Sequence, residues 1–319
     1  MKINERKCQN NLILYFVYYD HMKYTVIAPA YNEEGNVEPL VRRICEVMDK
    51  IGVETEILIV DDGSTDLTFA RLKQLTGEFP SLTVISLEEN RGQTVAYQAG
   101  FDFATGERIV TMDADLEKDP AFIPEMIEKL DGQQLDIVYF RKLYKDVPLI
   151  RKLASRAANI FRRAVTGDKA VDVGSTFILY RWNIFKGRNF ASGFHRFFIG
   201  FMETEGLSMG YIEGPVYKRA HGETKYTTLG RLKQGLLDLF YFYLYKNRKI
   251  GLYKIIFALS AFFIISLFIP AGAQVRTAVN IFMLAALASL GAGIVHVSHL
   301  LVQSGRLPYK IREIWPPRS

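Results

Sequence analysis

Between residues 24 and 140, short apolar runs alternate with segments in which apolar positions recur at three- and four-residue intervals. The runs predict buried strands, and the intervals predict helices that bury one face, as with Val37, Leu40 and Ile44. The predicted strands are Tyr24–Ala30, Glu56–Val60, Leu82–Leu87, Glu107–Met112 and Asp136–Phe140, and the predicted helices are Asn36–Ile51, Asp66–Thr76, Thr94–Ala104 and Asp119–Leu130. Repeated strand–helix units of this kind predict an α/β fold with a mostly parallel, doubly wound sheet.

A different pattern follows, because Ile255–Gln274 and Thr277–Gly305 contain no charged residue. Each stretch is long enough for a helix to cross a hydrocarbon core, which takes about 20 residues. Lys and Arg flank the pair on both outer sides, whereas the short connection carries only Arg276. The positive-inside rule then places both flanks in the cytoplasm. We predict a two-helix transmembrane hairpin over 250–304.

The remaining segments set the domain boundaries. The apolar run near the N-terminus is too short to span a membrane, and Met22 directly precedes the first strand, so translation starting at Met22 is a hypothesis. Two further segments read as amphipathic helices that lie in the membrane interface. The predicted boundaries are 1–22 for an N-terminal extension, 23–228 for the α/β domain, 147–165 for an amphipathic helix within it, 229–249 for a juxtamembrane helix, 250–304 for the hairpin and 305–319 for a cytoplasmic tail.

The composition of the chain limits the kinds of ligand and partner that it can bind. The chain of 319 residues carries a formal net charge of +6 and two cysteines, Cys8 and Cys45, which excludes a disulfide framework and a cysteine-based zinc site. The basic residues concentrate between 141 and 169, around the predicted amphipathic helix. This placement favours an anionic membrane surface. No recognition motif accompanies the patch, so we predict no nucleic-acid partner.

Acidic clusters follow the predicted strands. Asp113 and Asp115 come directly after the fourth strand, with Glu117 two residues further on, and Asp61 and Asp62 close the second. Closely spaced carboxylates can hold one hard divalent cation, although a lone Asp-x-Asp is also compatible with a solvated turn. In a wound sheet, ligands bind beyond the carboxyl ends of the strands, so these side chains are expected to line one cleft.

Four motifs, taken in order, resemble glycosyltransferase family 2: Pro29-Ala30-Tyr31-Asn32-Glu33, Asp61-Asp62-Gly63-Ser64-Thr65-Asp66, Asn90-Arg91-Gly92-Gln93 and Asp113-Ala114-Asp115-Leu116. The chain looks most like its polyprenyl-phosphate glycosyltransferases, the branch that includes dolichol-phosphate mannose synthases and bactoprenol glucosyltransferases. The resemblance implies a GT-A fold, a UDP- or GDP-sugar donor, and inverting transfer to a polyprenyl phosphate such as undecaprenyl phosphate. It also implies Mg²⁺ or Mn²⁺ as cofactor, a homo-oligomer, and a bacterial inner-membrane location with the catalytic domain in the cytoplasm.

The resemblance further implies roles for individual residues. Those implied for the nucleotide sugar are Pro29, Tyr31, Glu33, Asp61, Asp62, Asp113, Ala114 and Arg141. Those implied for the metal are Asp113, Asp115 and Glu117, although the family usually has glutamine at the last position. The implied catalytic residues are Asp115, Asp172 and Arg219, and those implied for the acceptor phosphate are Arg196, Arg219 and Lys225. Whether Asp172 removes a proton or orients a substrate stays open.

Two alternatives are compatible with parts of the pattern. A glycosyltransferase acting on a lipid-linked or polysaccharide sugar would share the fold, but processive members carry Gln-x-x-Arg-Trp. Here Ile178 stands in the glutamine position before Arg181-Trp182. An inert membrane scaffold with the same fold would have no need of the intact aspartates. The identities of the sugar and of the nucleotide base stay open.

Overall fold

The computed structural model describes residues 22–143, 174–188, 190, 193–217 and 309–317. The chain divides into two compact units, and every described residue belongs to the first of them. The described strands are β1 (Tyr24–Ala30), β2 (Thr55–Asp61), β3 (Leu82–Leu87), β4 (Arg108–Thr111), β5 (Ile137–Lys142), β6 (Ile178–Tyr180), β7 (Met209–Gly214) and β8 (Ile311–Trp315), and the α-helices are α1 (Val37–Ile51), α2 (Thr68–Leu75), α3 (Gln93–Phe103), α4 (Ile123–Gly132) and α5 (Phe198–Thr204). All nine elements predicted between residues 24 and 140 are confirmed, with small shifts of their ends.

The described strands form one sheet in the order β7-β5-β6-β4-β1-β2-β3-β8. The four central strands β4, β1, β2 and β3 run parallel, as predicted. The outer strands change the picture, because β6 is antiparallel to both β4 and β5, and β8 is antiparallel to β3. The sheet is therefore mixed: the predicted parallel pairing holds for four of the seven strand pairs, including β5 with β7, and fails at β6 and β8. The reason is β6, which inserts between β4 and β5 and so prevents them from pairing.

The core lies on both faces of the parallel strands. On one face, alternate residues of β1 and β2 pack against α1, α2 and α4. On the other face, Leu58 and Val60 of β2 and Ile85 of β3 pack against α3. Strands covered on both faces read as continuous apolar runs, which is why the sequence predicts them well.

Helix α3 approaches the sheet closely enough to require a glycine. A Cβ atom added at Gly100 would lie 2.3 Å from Cγ2 of Ile27 in β1. Nearly all residues of α3 are buried. The helix that leads away from the acidic loops is thus fixed against the centre of the sheet.

The residues after 308 contribute a strand that the hydrophobic pattern did not predict. In β8, Ile314 pairs with Ile85 of β3. Tyr309 just before β8 is buried, and its hydroxyl donates to Oδ2 of Asp102 at 2.8 Å. Part of the predicted tail 305–319 therefore belongs to the same sheet as β1.

Several predicted segments lie outside the described residues: 1–21 of the extension, the interfacial helix 147–165, the juxtamembrane helix 229–249 and the hairpin 250–304. Among the described residues, no helix combines the length and apolar character that crossing a bilayer needs. The transmembrane hairpin accordingly stays a prediction.

Candidate active site

The loops that follow β1 and β2 are joined through Asn32. Its backbone φ of 54° lies in the left-handed region, which asparagine tolerates better than most residues. The Oδ1 atom of Asn32 accepts from the Thr65 amide at 2.9 Å, and the Asn32 amide donates to Oγ of Ser64 at 3.0 Å. Two of the motifs seen in the sequence are therefore held together by direct hydrogen bonds.

Asp61 is buried at the end of β2 with partners at both oxygens. Oδ1 accepts from the Ser64 amide at 3.1 Å, and Oδ2 accepts from the Ser86 hydroxyl of β3 at 2.8 Å. In the turn between Asp61 and Ser64, Gly63 has a φ of 66°. It has no room for a side chain, since a Cβ would lie 2.5 Å from the backbone of Glu89. In the described residues, Asp61 thus shapes the turn and ties β2 to β3.

Asp62 organises the loop that leads into α3. Its two oxygens accept from the backbone amides of Arg91 and Gly92, each at 2.8 Å. Burial raises the pKa of Asp62 to about 6, which outweighs the opposite effect of the two amide hydrogen bonds, and Asp61 raises it further. The second motif and the third are therefore connected through this carboxyl group.

Residues at the end of β1 enclose the same region. Pro29 and Ala30 pair with Val60 and Asp61 in the parallel ladder. Tyr31 follows, half-buried. The side chain of Glu33 accepts from Nδ2 of Asn36 at 2.6 Å, and its carbonyl accepts from the first amides of α1. The predicted nucleotide residues of β1 therefore lie beside the end of β2, as expected.

Asp113 follows β4 and is surrounded by protein donors. Its Oδ1 accepts from Nε2 of Gln93 at 2.7 Å, with the Tyr97 hydroxyl 3.4 Å away. Its Oδ2 accepts from the Thr176 hydroxyl at 2.6 Å and from Nζ of Lys118 at 3.1 Å. Burial alone raises the pKa of Asp113, but the charge of Lys118 and the Thr176 and Lys118 hydrogen bonds lower it to about 2. Asp113 is therefore ionised throughout the physiological pH range.

The loop after Asp113 bends sharply at Leu116, whose φ of 57° is unusual for a leucine. Such left-handed conformations carry strain and occur often at functional sites. Asp115 is largely buried, like Ala114, and its Oδ1 accepts from the Glu117 amide at 3.1 Å. Glu117 forms an ion pair with Lys142 at 3.3 Å. Asp115 and Glu117 are thus brought together on one short turn.

The carboxylates of this turn are candidate ligands of a divalent cation. Among the residues described, no group of three or more His, Cys, Asp or Glu side chains is arranged to hold a metal ion. Mg²⁺ is commonly bound through one or two carboxylates together with substrate phosphates, and does not need an all-protein cage. The oxygen donors of Asp115 and Glu117 fit a site of this shared type, in which a diphosphate completes the ligands.

Two of the predicted arginines lie on elements that follow β4 in the chain. At the end of β5, the guanidinium of Arg141 forms an ion pair with Glu213 of β7 and lies 4.5 Å from the ring centroid of Tyr211. Arg196 is half-buried on the short 3₁₀ helix Phe194–Phe197. Arg141 is therefore held by β7, and Arg196 is carried by the segment that leads into α5.

His195 on that 3₁₀ helix packs on the first turn of α3. Its Nδ1 lies 2.7 Å from the Thr94 hydroxyl, which in turn accepts from the His195 amide at 3.4 Å. A hydroxyl that donates to Nδ1, with the ring proton on Nε2, satisfies both contacts. Burial, with a smaller contribution from Arg196, lowers the pKa of His195 to about 4. The imidazole is neutral at physiological pH.

The structure places the predicted residues of the first, second and fourth motifs at the carboxyl ends of β1, β2 and β4, while Asp172, Arg219 and Lys225 lie outside the described residues. Sequence reasoning missed Lys118 and Thr176 as partners of Asp113. A lysine inside an acidic motif is a signal that could have been used. Thr176 gave none, because it meets Asp113 only through the pairing of β6 with β4.

The chain is similar in sequence to several known proteins. The sequence model of the family described as Glycosyl transferase family 2 matches residues 25–188. Dodecaprenyl-phosphate galacturonate synthase of Rhizobium johnstonii is 36% identical over 233 residues, which are 71% of this chain and 69% of the relative. Undecaprenyl-phosphate 4-deoxy-4-formamido-L-arabinose transferase of an Enterobacter species is 34% identical over 220 residues, 68% of this chain and 66% of the relative. The match thus spans about two thirds of both relatives.

A further relative and a solved structure are also similar to this chain. The 4-deoxy-4-formamido-L-arabinose transferase of Pectobacterium atrosepticum is 36% identical, but the match spans about half of each chain (50% and 49%). Glucosyl-3-phosphoglycerate synthase of Mycobacterium tuberculosis, solved with Mn²⁺, UDP-glucose and phosphoglyceric acid, superposes with a TM-score of 0.55. It shares 19% identity, over 76% of this chain and 84% of the other. This likeness confirms the GT-A-type α/β fold.

Proposed function

The chain belongs to glycosyltransferase family 2, and from this we propose that it transfers a sugar from a nucleotide sugar to a polyprenyl phosphate. The product is a lipid-linked monosaccharide. The two most extensively matched relatives described above are both named for the transfer of a sugar to a polyprenyl phosphate. Membership of the family makes the chain a glycosyltransferase, and the acceptor is the part of the proposal that rests on these relatives.

The observation that carries the proposal is the Asp113–Asp115 turn beyond β4, next to the loops after β1 and β2. Transfer from a nucleotide sugar expels a nucleoside diphosphate, whose developing charge must be stabilised. We assign Asp115 and Glu117 to hold Mg²⁺ or Mn²⁺ together with that diphosphate, and Asp113, the third predicted ligand, stays a candidate. When bound, the cation neutralises the charge of the leaving group.

The other described residues bind and orient the donor. We assign Pro29, Tyr31 and Glu33 to the nucleotide, beside a loop that Asp61 and Asp62 fix from within the protein. Asp113 and Ala114 form the floor beneath the donor. Arg141 stays a candidate to bind the donor diphosphate. In the structure its guanidinium is paired with the carboxylate of Glu213.

The acceptor side follows from its chemistry. A phosphate monoester is already anionic at neutral pH, so the nucleophile does not require a strong general base. We assign Arg196, Arg219 and Lys225 to hold this phosphate. In the same proposal Asp172 orients a substrate.

We further propose that 250–304 anchors the protein in the bacterial inner membrane, with the catalytic domain in the cytoplasm. Residues 193–217 and 309–317 contribute strands to the same sheet. A segment between them that crosses a membrane must therefore cross an even number of times. The two predicted spans satisfy this condition, and the homo-oligomer stays a prediction.

The test is a transfer assay with the full chain in detergent, undecaprenyl phosphate, and Mg²⁺ or Mn²⁺. The donors are UDP- and GDP-sugars, including a hexuronate and a 4-formamido pentose because the relatives are named for such sugars. We expect mass spectrometry to find a lipid-linked monosaccharide with one donor. A product formed on a sugar acceptor and none on the lipid phosphate would contradict the proposed acceptor. Binding of neither nucleotide nor metal would contradict the activity itself.

Asp115→Asn tests the metal assignment. We expect turnover to fall at least about 100-fold, because a charge that develops in the transition state loses its stabilisation. Asp49→Asn on the exposed side of α1 is the matched control, since it removes the same charge away from the site, and it should keep wild-type turnover. Full activity of Asp115→Asn would remove Asp115 from the metal site.

A further inference from the structure

His195 is largely buried, yet one of its two ring nitrogens has no hydrogen-bond partner among the described residues. The residue is 8% exposed, and Nδ1 is the nitrogen that meets the Thr94 hydroxyl, at 2.7 Å. In the part of the chain that the structure describes, the buried side-chain polar atoms without a partner are Oδ1 of Asn36 and Oδ1 of Asn183. Nε2 of His195 is not one of them, so it is accessible to solvent. Nε2 is therefore a polar atom of a buried ring that a ligand can reach.

The ring lies close to two groups that the proposed function uses, Asp113 and Arg196. Burial lowers the pKa of His195 most, Arg196 lowers it further and Asp113 raises it, so both charges act on the imidazole. Its partner Thr94 lies in the first turn of α3 beside Gln93, whose Nε2 donates to Oδ1 of Asp113 at 2.7 Å. The first turn of α3 thus contacts both His195 and Asp113, which brings the imidazole to the carboxyl end of β4.

The hydrogen bond at Nδ1 determines what Nε2 can do. When Nδ1 accepts from the Thr94 hydroxyl, the neutral ring carries its proton on Nε2, which is then a donor. A neutral N–H forms a charge-assisted hydrogen bond with an anionic oxygen, which is stronger than a bond between neutral groups. The positive charge of Arg196, the next residue, favours an anion near this donor. Phosphate oxygens, which both proposed substrates carry, are therefore the acceptors that suit Nε2 best.

We propose that His195 binds substrate, with its Nε2–H donating a hydrogen bond to a phosphate oxygen, and that Thr94 is the positioning residue that holds the ring for this contact. The donor diphosphate and the acceptor phosphate are the two sources of such an oxygen. The inference rests on the proposed function, because that function supplies both.

Isothermal titration calorimetry of the full chain in detergent measures the two affinities separately. One titration uses UDP or GDP with Mg²⁺, and the other uses undecaprenyl phosphate in the same detergent. His195→Asn keeps an acceptor for the Thr94 hydroxyl, but its amide is too short to reach the position of Nε2. We expect one of the two affinities to fall at least about tenfold, because a hydrogen bond to a charged group is lost. A loss for the nucleotide identifies the donor diphosphate as the ligand of His195, and a loss for the lipid identifies the acceptor phosphate.

His195→Gln separates substrate binding from packing. Its longer side chain brings an amide N–H to the position of Nε2 but loses the acceptor for Thr94, so it should bind the same ligand more tightly than His195→Asn does. A role confined to packing predicts the opposite order, since only the asparagine keeps the hydrogen bond to Thr94.

The positioning role of Thr94 is tested with residue 195 intact. Thr94→Val frees the ring to rotate and should weaken the same affinity at least about threefold. Thr94→Ser keeps the hydroxyl and should bind as the wild type does. Thr76→Val is the matched control, because it removes a threonine hydroxyl at the end of α2 that donates to the Lys73 carbonyl, and it should leave both affinities unchanged.

A smaller loss for both ligands in folded His195→Asn overturns the inference, as does weaker binding by His195→Gln than by His195→Asn. If His195→Asn does not fold, equal affinities of Thr94→Val and Thr94→Ser overturn it. The titrations involve no transfer of sugar. A chain whose variants lose affinity as expected but which makes no lipid-linked sugar would contradict the proposed function and leave this inference standing, whereas a wild type that binds neither ligand would overturn both.

Discussion

At the scale of single residues, the imidazole of His195 couples stability to pH. Its pKa lies at about 4 in the folded chain because it is buried, against 6.5 for the unperturbed group. The unfolded state therefore binds this proton first, and the folded state loses stability as pH falls from 6.5 towards 4. Between these two pH values, one proton lowers the free energy of unfolding by at most about 1.4 kcal/mol per pH unit.

His195→Asn tests this coupling, because an amide oxygen can still accept from the Thr94 hydroxyl. We expect the melting temperature of the variant to fall less between pH 7 and pH 5 than that of the wild type. The raised pKa of Asp62 acts in the opposite direction, but it is common to both proteins and cancels in the comparison. Equal falls in both proteins would show that His195 does not titrate in this range.

At the scale of elements, the contact between α3 and β1 depends on Gly100. Alanine at this position gains up to about 1 kcal/mol in helix propensity, but its Cβ would lie 2.3 Å from Cγ2 of Ile27. Overpacking of a buried contact costs about 1–3 kcal/mol. We expect Gly100→Ala to lower the free energy of unfolding in denaturant titrations.

Two variants make that result specific. Gly132→Ala at the end of α4 meets nothing within 4 Å, so it should be neutral or stabilising. Ile27→Ala removes the clashing methyl, so adding Gly100→Ala in that background should cost less than in the wild type. A cost independent of residue 27 would mean that the strain arises elsewhere.

The elements differ in how far the sequence predicts them. The central strands and helices follow from local pattern, because burial on two faces or on one face leaves a clear spacing of apolar residues. Strand β6 is three residues long, and it exists only through pairing with β4 and β5. Strand β8 contains Arg312 and Glu313, whose charges hide it from a search for apolar runs.

The same limit applies within the site. The sequence placed the acidic motifs at one edge of the sheet because parallel strands end together. It could not show that Asp61 accepts a hydrogen bond from its own turn and Asp62 from the loop before α3, since those partners depend on exact backbone geometry. The contact between Lys118 and Thr176 likewise joins residues far apart in the sequence.

At the scale of the whole molecule, β8 attaches the residues after 308 to the sheet. Tyr309→Ala should lower the free energy of unfolding by about 3 kcal/mol, because a large buried side chain is lost. Tyr309→Phe removes only the hydrogen bond to Asp102 and should cost about 1 kcal/mol. Equal costs for the two variants would mean that the ring itself contributes little.

The chain contains two tryptophans, and one of them, Trp315, lies in β8. Its fluorescence can show whether β8 unfolds together with the rest of the sheet. In a Trp182→Phe background, the fluorescence of Trp315 reports on β8 alone, next to Lys73 at 4.0 Å from its ring. We expect Trp315 emission and far-UV circular dichroism to follow the same unfolding curve. Loss of the Trp315 signal at lower denaturant would show that β8 detaches before the rest of the sheet.

The pairing of β8 with β3 has a consequence for the order of events during synthesis. A nascent chain emerges from the ribosome N-terminus first, so β1 to β7 are available well before β8. Until the segment 218–308 has been translated, one edge of β3 lacks the strand that covers it in the finished protein. An uncovered edge strand invites pairing with other chains. While 218–308 is made, the newly synthesised domain therefore exposes this edge of β3 to other chains.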